Sequence, residues 1–579
     1  MAVGEERARA FVPRILPPLV VVALSLPRVL EAAHRASFAT LGRDQGIFQY
    51  VAWAIGQGDS AYRDVRDVNG PLVPLVHLTM QILGGTDEHR FRLLDLGGCA
   101  LAFALAGACL VDLDDGPRGS RLLGLLERGA WALAAVAAIG AQYLVYGFWD
   151  TAQRESFFDA FVLVGLGAGL AGQRALGEVA RGRGSELRAF AWLVVAGAAS
   201  TTSVLGKPTY ALFAAAQALA LLVDRVPVRR VWRLVPFVIG AAVGLAVPFL
   251  FLVARGDVAA WARITFVDVP SMYRFIWPRP IAHLFEMPGY ARTIGFGAAV
   301  SIATVALALV RVLPLRALAI GLFPALGFAS VVAQAKGFPY HFHPMSAGTS
   351  LAFLAILRAV ASPATWHKEG RSPVLALVAA SVVGLGAAAG IGYQSDATMR
   401  AMPWPEAPPP ALRTPEALDS EEHLEPFIRV DFFPRDLREA ADFLQRNTRA
   451  DERVQAYGMD AYLLFLARRR SATPIIYAYD LNVDAALAGA AVFGGEPPTP
   501  AQRARIQAMR DAHEADMLAS MKRRPPAAFV FHDDSPLMSS RDAVKDFELH
   551  CPTTMEWVRE TYAEAADFGR IHVWMHKGR

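Results

Sequence analysis

The residues best suited to chemistry in this sequence lie in short polar stretches between long apolar ones. The first such stretch reads Gly42-Arg43-Asp44-Gln45-Gly46 and follows an apolar run. A carboxylate in that position can accept a proton from a hydroxyl group, particularly where partial desolvation raises its pKa. Asp44 can instead cap the helix that begins here, and the spacing alone favours this structural role.

A second group of ionisable residues lies between Trp149 and Ser156, where the sequence contains Asp150, Arg154 and Glu155. So many charges at the end of an apolar helix are costly unless they pair with one another or face a polar cavity. Glu155 is therefore a candidate for a second acid of a site. An Arg154–Glu155 ion pair of purely structural value is an equally good interpretation.

Two lysines and two histidines in later polar stretches could bind an anion. Lys207 separates two apolar runs, and Lys336 is followed by Tyr340, His341 and His343. Lysine offers a point charge to phosphate, and histidine can donate a hydrogen bond. Either lysine alone could simply extend its ammonium group to a membrane surface. His341-x-His343 could be half of a metal site, although the spacing fixes no third ligand.

Long apolar runs must position these residues. Of the 579 residues, 54% are hydrophobic, and the mean hydropathy of +0.31 excludes an ordinary soluble protein. The net charge of +4 is small and does not indicate nucleic-acid binding. We predict eleven membrane spans, near residues 12–31, 91–112, 129–147, 156–173, 189–206, 208–223, 234–254, 293–310, 317–334, 345–358 and 373–393. The shorter apolar segment Pro71 to Leu83 is predicted to be an interfacial or re-entrant helix.

Arginine is concentrated in alternate loops between the predicted spans. In membrane proteins the cytoplasmic loops carry the excess of basic residues. The alternation places the N-terminus in the cytoplasm, and it places the loops near 32–90 and 255–292 outside together with the C-terminal region. We therefore expect a multi-pass protein of the inner, cytoplasmic membrane.

The composition changes after Gly392 to a proline-rich and then a polar sequence. We predict a transmembrane domain over 1–393, a linker over 394–425 and a small extracytoplasmic α/β domain over 426–579, the usual size for one hydrophobic core. In the last region the predicted helices are Asp436–Arg446 and Ala501–Met521, and the predicted strands are Arg453–Tyr457, Pro474–Tyr479, Ala527–His532 and Arg570–His576.

One type of reaction would use all of these groups. A sugar joined to polyprenyl phosphate presents its anomeric carbon at the membrane surface, where a carboxylate can take the proton of an acceptor hydroxyl. The acceptor oxygen then attacks that carbon, and the lipid phosphate leaves. Because phosphate is a good leaving group, it needs cations to hold its charge more than an acid to protonate it.

The first polar loop resembles the first outer loop of the GT-C glycosyltransferases, integral membrane enzymes that use polyprenyl-phosphate sugars. The resemblance rests on Arg43-Asp44-Gln45-Gly46, on Tyr62-Arg63-Asp64 and on Asn69-Gly70-Pro71. The family includes the protein O-mannosyltransferases and the aminoarabinose transferases of lipid A. The similarity covers residues 12–390.

Later stretches are similar to further signature positions of bacterial GT-C enzymes. They are 153–155, 207–208 and the lysine-to-histidine stretch 336–341. The stretch Val454 to Tyr479 resembles the outer domains that often follow such membrane regions. The resemblance rests on the order of these stretches and on their predicted location at the same, outer face of the membrane.

The resemblance implies that Asp44 is the catalytic base and that Glu155 is the second-loop acid. We expect the donor phosphate to be bound by Lys207, Lys336, His341 and Arg154. We expect the substrate pocket to include Arg43, Gln45, Tyr62, Arg63, Asp150, Tyr340 and His343. Many relatives have Asp-Glu where this chain has Asp44-Gln45, which leaves open whether a divalent cation is needed. No metal ligand is assigned.

The resemblance thus implies a GT-C-like fold and an inverting glycosyltransferase. It would move a hexose or pentose from a polyprenyl-phosphate donor to an extracytoplasmic glycolipid, polysaccharide or protein. A transporter or flippase is an alternative, but it should carry ionisable residues near the membrane midplane and paired, broken helices. A ligase that uses a diphosphate-linked oligosaccharide, or an assembly protein that recruits cell-wall partners, are further alternatives.

Overall fold

The computed structural model describes residues 2–114, 121–225, 230–361 and 404–578. Within these ranges eight helices are long and apolar enough to cross a membrane, which makes this a multi-pass membrane protein. They are Arg14–Ala36, Glu88–Leu113, Arg121–Leu144, Arg154–Ala180, Glu186–Leu205, Trp232–Arg255, Gly289–Leu309 and Leu315–Gln334.

The remaining three predicted spans have different outcomes. Residues 208–223 form the apolar helical segment Pro208–Val223, which is shorter than the eight. Residues 345–358 lie inside the helix His343–Ala361. The segment 373–393 lies outside the described residues, so the total of eleven spans stays a prediction.

In chain order the helices are α1 (Ala2–Ala36), α2 (Arg43–Gly56), α3 (Leu72–Gly84), α4 (Glu88–Cys109), α5 (Arg121–Leu144), α6 (Gly147–Asp150), α7 (Arg154–Ala180), α8 (Glu186–Thr202), α9 (Ala211–Val223), α10 (Arg230–Arg255), α11 (Val258–Arg263), α12 (Val269–Ser271), α13 (Ile281–Glu286), α14 (Pro288–Leu309), α15 (Leu318–Gln334), α16 (His343–Ala361), α17 (Pro415–Leu418), α18 (Glu421–Leu424), α19 (Pro434–Asn447), α20 (Tyr462–Ala467), α21 (Asp484–Ala488), α22 (Pro500–Arg523), α23 (Ala543–His550) and α24 (Pro552–Thr561). Short 3₁₀ turns at Pro208–Tyr210 and Pro339–Phe342 precede α9 and α16.

The chain folds into two compact units. The first unit comprises Met1–Ser37, Arg92–Phe249 and Leu284–Trp404, and the second comprises Phe38–Phe91, Leu250–His283 and Pro405–Arg579. The second unit therefore joins the C-terminal region with two earlier loops of the sequence. The sequence-based boundaries near 393 and 425 stay predictions.

Small residues allow close helix packing in the first unit. Gly240 and Gly244 of α10 face α8, and a Cβ atom added to Gly240 would lie 2.0 Å from the carbonyl oxygen of Val194. A Cβ atom on Gly244 would lie 2.2 Å from the carbonyl oxygen of Ala198. This G-x-x-x-G spacing brings two helix backbones together, as is common in membrane bundles, where packing replaces the hydrophobic effect.

The second unit contains a five-stranded sheet in the order β2-β1-β3-β5-β4. The strands are β1 (Arg453–Tyr457), β2 (Arg470–Ser471), β3 (Ala528–His532), β4 (Tyr562–Phe568) and β5 (Ile571–His576). β1 runs parallel to β2 and β3, whereas β5 runs antiparallel to β3 and β4. Apolar residues of the sheet and its covering helices, including Phe529, Phe531 and Phe547, form its core.

All the predicted elements of this region but one are confirmed. The predicted strand Pro474–Tyr479 is wrong, because this buried segment is extended and then turns at Ala478–Asp480 without entering the sheet. Its carbonyl groups bind side-chain and loop donors instead, such as the Nε2 atom of Gln455 at 3.1 Å from Ile475. The edge strand β4 was not predicted, since its sequence has three alanines and lacks β-branched residues.

Candidate active site

Glu155 lies at the centre of a buried ion cluster in the first unit. It occupies the first turn of α7, where a carboxylate also interacts favourably with the helix dipole. Its Oε1 atom accepts from Nζ of Lys207 and, at 3.2 Å, from Nε of Arg154. Nε2 of His341 lies 3.8 Å from the same oxygen. The structure thus brings together four residues that the sequence analysis selected from three separate stretches.

The Oε2 atom of Glu155 is buried and has no hydrogen-bond partner among the described residues. One turn further along α7, Asp159 accepts a hydrogen bond from the Tyr210 hydroxyl at 2.8 Å. Lys207 Nζ also donates to the side-chain oxygen of Gln334, at the end of α15. The Glu155 carboxylate therefore has one oxygen that binds two cations and one buried oxygen without a hydrogen-bond partner among the described residues.

Lys336 and His341 belong to the same unit and are both buried. Burial lowers the pKa of Lys336 to about 7 and lowers the pKa of Lys207, whose neighbour Glu155 acts in the opposite direction. Burial, followed by the charge of Lys207, also lowers the pKa of His341 well below its usual range. A bound anion would raise the pKa of both lysines again, because a nearby negative charge favours their protonated form.

Asp150, His343 and Tyr340 have mainly structural contacts here. His343 donates from Nε2 to the backbone carbonyl of Asp150 at 2.7 Å, and its ring lies 4.1 Å from that of Tyr146. The Tyr340 ring packs edge-on against His341, with centroids 4.6 Å apart. These contacts fix the orientation of both histidine rings.

The other predicted site residues lie in the second unit, and three of them, Arg43, Asp44 and Gln45, lie at the start of α2. Gly42 is the N-cap residue, and its N–H donates to the side-chain oxygen of Gln45 at 2.5 Å. Gln45 is therefore the side chain that caps this helix, and the interpretation of Asp44 as the cap is wrong. Asp44 is half-buried in the first helical turn, as the second residue of the helix.

Arg43 binds two acids of the C-terminal region. Its Nε atom lies 2.9 Å from Oδ1 of Asp460, and Nη1 lies 3.1 Å from Oδ2 of Asp431. The Arg43 side chain is only 7% exposed and binds both carboxylates. It therefore anchors the start of α2, next to Asp44, to the C-terminal region.

The rest of α2 is also buried by the C-terminal region. A Cβ atom on Gly46 would lie 2.4 Å from Cγ of Tyr462, so only glycine fits against this ring. Further along the helix, the Tyr50 hydroxyl accepts a hydrogen bond from the N–H of Ser471 at 2.7 Å. The helix that carries Asp44 is thus positioned by contacts at three successive turns.

Tyr62 and Arg63 differ in their surroundings. Tyr62 has a left-handed backbone, with φ of 71°, and its buried hydroxyl donates to the carbonyl of Asn69 at 2.8 Å. Arg63 is exposed and pairs with its neighbour Asp64 at 2.9 Å. The geometry gives Tyr62 a role in shaping the loop and leaves Arg63 at the surface.

Asp67 is an acid of this loop that the sequence analysis did not select. It accepts from the Asn69 side chain at 2.7 Å and from the Tyr477 hydroxyl at 3.1 Å. Burial and the charge of Asp67 raise the pKa of Tyr477, and the charge of Asp44 adds to this effect. Asp44 therefore lies within electrostatic range of a phenol from the C-terminal region.

Several functional contacts could not be selected from local sequence. Gln334 carried a weak signal, as a polar residue that ends an apolar helix two positions before Lys336. Tyr477 and Asp460 carried none, because their partners lie about four hundred residues earlier in the chain. His341 and His343 belong to no group of three potential metal ligands among the described residues.

Solved structures similar to this chain were found by comparison of folds. ArnT from Cupriavidus metallidurans bound to undecaprenyl phosphate matches with a TM-score of 0.51 and 16% identity, over 96% of this chain and 97% of that chain. The apo state of the same protein matches with a TM-score of 0.48, 16% identity and the same coverage of both chains.

A third similar structure is the oligosaccharyltransferase AglB from Archaeoglobus fulgidus in complex with an inhibitory peptide and a dolichol-phosphate. It matches with a TM-score of 0.47 and 13% identity, over 99% of this chain and 75% of that chain. No protein-family model and no curated protein sequence matches this chain. The match to the lipid-bound ArnT structure shows that the chain has the GT-C fold, as the resemblance implied.

Proposed function

We propose that this protein is a glycosyltransferase that moves one sugar from a polyprenyl-phosphate donor to an acceptor outside the cytoplasmic membrane. The observation that carries the proposal is the buried cation cluster around Glu155, in a chain with the fold of ArnT. That relative was solved bound to undecaprenyl phosphate, a lipid of the proposed donor class. Here the sugar is a hexose or pentose, and the acceptor is a glycolipid, polysaccharide or protein.

The donor phosphate would be bound by Lys207, Lys336, His341 and Arg154. Two cations, Lys207 and Arg154, share the single carboxylate of Glu155. Burial of these groups strengthens their interaction with an anion, since little water competes. Arginine and lysine would stabilise the charge that develops on the phosphate as it leaves.

Glu155 serves the same step in this proposal. Its Oε1 atom orients Lys207 and Arg154, and the remaining Oε2 atom is free of hydrogen bonds within the described structure. That second oxygen can accept a hydrogen bond from a hydroxyl of the donor sugar. Glu155 thus combines positioning of the cations with direct binding of the sugar.

Asp44 is the proposed base. Its carboxylate takes the proton of the acceptor hydroxyl, the acceptor oxygen forms a bond to the anomeric carbon, and the bond between that carbon and the phosphate oxygen breaks. The lipid phosphate leaves with the bonding electron pair, so a single displacement inverts the configuration. Arg43, Gln45 and Tyr62 hold the loop that carries this base.

The surroundings of the proposed site are formed by further polar residues and by the membrane. Arg63, Asp150, Tyr340 and His343 would line the substrate pocket, and membrane lipids would surround the helices. The protein would lie in the inner membrane with a cytoplasmic N-terminus and an extracytoplasmic C-terminal region, as the distribution of arginine indicates.

The direct test of the donor class is transfer from radiolabelled lipid-linked sugars to membrane extracts by the purified protein. We expect transfer from polyprenyl-monophosphate sugars and none from diphosphate-linked oligosaccharides. Transfer from a diphosphate donor alone would identify a ligase. Movement of the intact donor across a vesicle membrane, with no transfer, would identify a flippase.

A further inference from the structure

A cluster of possible metal ligands lies on the hairpin formed by β4 and β5, and it contains none of the residues of the proposed reaction. It contains Glu564 and Asp567 of β4 and His572 of β5, whose ligand atoms all lie within 4.8 Å of one another. Nδ1 of His572 lies 3.3 Å from Oδ2 of Asp567 and 3.6 Å from Oε1 of Glu564. Both carboxylates are exposed, so a cation in solution can reach them.

A β-bulge brings the two acids to the same face of the sheet. Residues three apart in a regular strand point to opposite faces. Here the pairing register shifts between Glu564 and Ala566, so Asp567 pairs with His572 while Glu564 pairs with Trp574. An extra residue in a strand reorients the side chains that follow it, and such bulges are common near functional sites.

Two of the three separations between ligand atoms in the cluster match those around a small divalent ion, and the third, between the two carboxylates, is at most 4.8 Å. Zinc lies about 2.0–2.2 Å from histidine nitrogen and carboxylate oxygen in proteins, usually with tetrahedral geometry. In a tetrahedron with such bond lengths, two neighbouring ligand atoms are roughly 3.3–3.5 Å apart. The two measured separations from Nδ1 of His572, 3.3 and 3.6 Å, are close to this value.

The other nitrogen of His572 has the partner that a metal-binding histidine requires. Nε2 lies 3.0 Å from Oδ2 of Asp533, just after β3. The other oxygen of Asp533 accepts from the backbone N–H of Ala543 at 2.7 Å, which fixes the carboxylate. Donation from Nε2 to a fixed carboxylate directs the Nδ1 lone pair to the metal and raises its basicity.

We propose that Glu564, Asp567 and His572 bind a divalent transition-metal ion of the zinc type, with Asp533 orienting the histidine. One imidazole with two carboxylates favours zinc over magnesium or calcium, which prefer oxygen ligands alone. Three protein ligands leave a fourth position for water or for a group of another molecule. The ion would join β4 to β5 at the edge of the sheet and would stabilise this hairpin.

The test is zinc binding by the full-length protein in detergent, measured by equilibrium dialysis and elemental analysis. We expect one zinc ion per chain that is lost in Asp567→Asn and in His572→Gln, with affinity reduced at least a hundredfold. Because Asp567 is exposed and makes no buried contact, its substitution should leave the fold intact. His576→Ala, in the same strand but outside the cluster, should bind zinc as the wild type does.

A second variant separates a metal site from an ordinary ion cluster. Asp533→Asn keeps all three ligands but weakens the orientation of His572, so we expect zinc affinity to fall about 10- to 100-fold. Equal zinc binding by the wild type and by Asp567→Asn and His572→Gln would overturn the proposal. So would the absence of zinc binding by the wild type, which would show that the carboxylates only hold a protonated imidazole. Neither result depends on sugar transfer.

Discussion

At the scale of single residues, the proposed binding of the donor phosphate depends on two buried lysines, Lys207 and Lys336. Lys336 is 6% exposed, and its lowered pKa of about 7 is caused by desolvation. A lysine in this state is charged below neutral pH and becomes neutral as the pH rises. Burial lowers the pKa of Lys207 to about 7 as well, so we predict a pH dependence to which both lysines contribute.

The affinity for a polyprenyl-phosphate sugar should fall by about tenfold or more as the pH rises from 6.5 to 9. Below pH 7 the Lys336 ammonium is present to bind the phosphate, and above it the free protein must first take up a proton, which weakens binding. A sugar phosphodiester is the right ligand, because its own charge is constant over this range. Binding is measured with labelled donor in detergent.

Lys336→Arg provides the control, since arginine stays protonated at every pH used. Its affinity should fall less than that of the wild type over the same range, because only Lys207 then loses its proton. An unchanged slope in Lys336→Arg would show that another group titrates and would contradict the role given to Lys336.

At the scale of elements, α2 is the part of the structure that decides where Asp44 lies. Its apolar residues pack inside the second unit, and its N-terminus is capped by Gln45. Contacts with Tyr462 and Ser471 fix its rotation about its own axis. Two substitutions test this arrangement without touching the proposed base.

Gly46→Ala should lower the free energy of unfolding by about 1–3 kcal/mol, because the added methyl group would overlap the Tyr462 ring. Gly56→Ala, at the end of the same helix, meets only Leu78 at an ordinary contact distance of 3.5 Å. It should be neutral or slightly stabilising. Thermal unfolding in detergent compares the two, and equal midpoints would contradict the packing described here.

Arg43→Met should cost about 3–5 kcal/mol of stability, since it leaves the buried Asp460 without its charge partner. Arg63→Met removes an ion pair from the exposed part of the same loop and should cost no more than about 1 kcal/mol. Chemical unfolding followed by tryptophan fluorescence measures both. A cost for Arg63→Met as large as that for Arg43→Met would show that Arg43 does not anchor the loop.

The sequence alone was sufficient for features that depend on local pattern. The apolar helices, the helix α19 and the strands β1, β3 and β5 follow from hydropathy and periodicity, which are properties of neighbouring residues. The grouping of Glu155 with Lys207 and His341 followed from polar residues placed in otherwise apolar surroundings.

Features that depend on distant partners were not predicted. The ion pair between Arg43 and Asp460 joins residues 417 positions apart, and nothing in the sequence indicates that the two side chains meet. The segment Pro474–Tyr479 has the composition of a strand, but its hydrogen bonds are used by other side chains. Tertiary contacts override local propensity in such cases.

At the scale of the whole molecule, the C-terminal region is part of the unit that carries Asp44. Arg43 binds Asp431 and Asp460, and Arg66 binds Asp480 at 3.0 Å. The region therefore supports the first loop, in addition to any role of its own.

A chain that ends at Trp404 should be inserted in the membrane but should have an unfolded first loop. In the full chain Arg43 and Arg66 are buried, so trypsin should spare them, whereas the exposed Arg63 should be cut. In the shortened chain all three sites should be cut. Protection of Arg43 and Arg66 in the shortened chain would show that the loop folds without the C-terminal region.

The most direct test of the central claim compares sugar transfer by the wild type, Asp44→Asn and Asp64→Asn under single-turnover conditions with a polyprenyl-monophosphate donor. Asp64 belongs to the same loop but pairs with the exposed Arg63. We predict that Asp44→Asn lowers the rate by at least a hundredfold, with unchanged donor affinity and thermal stability, while Asp64→Asn keeps the wild-type rate. Wild-type transfer by a folded Asp44→Asn protein would contradict the assignment of Asp44 as the base.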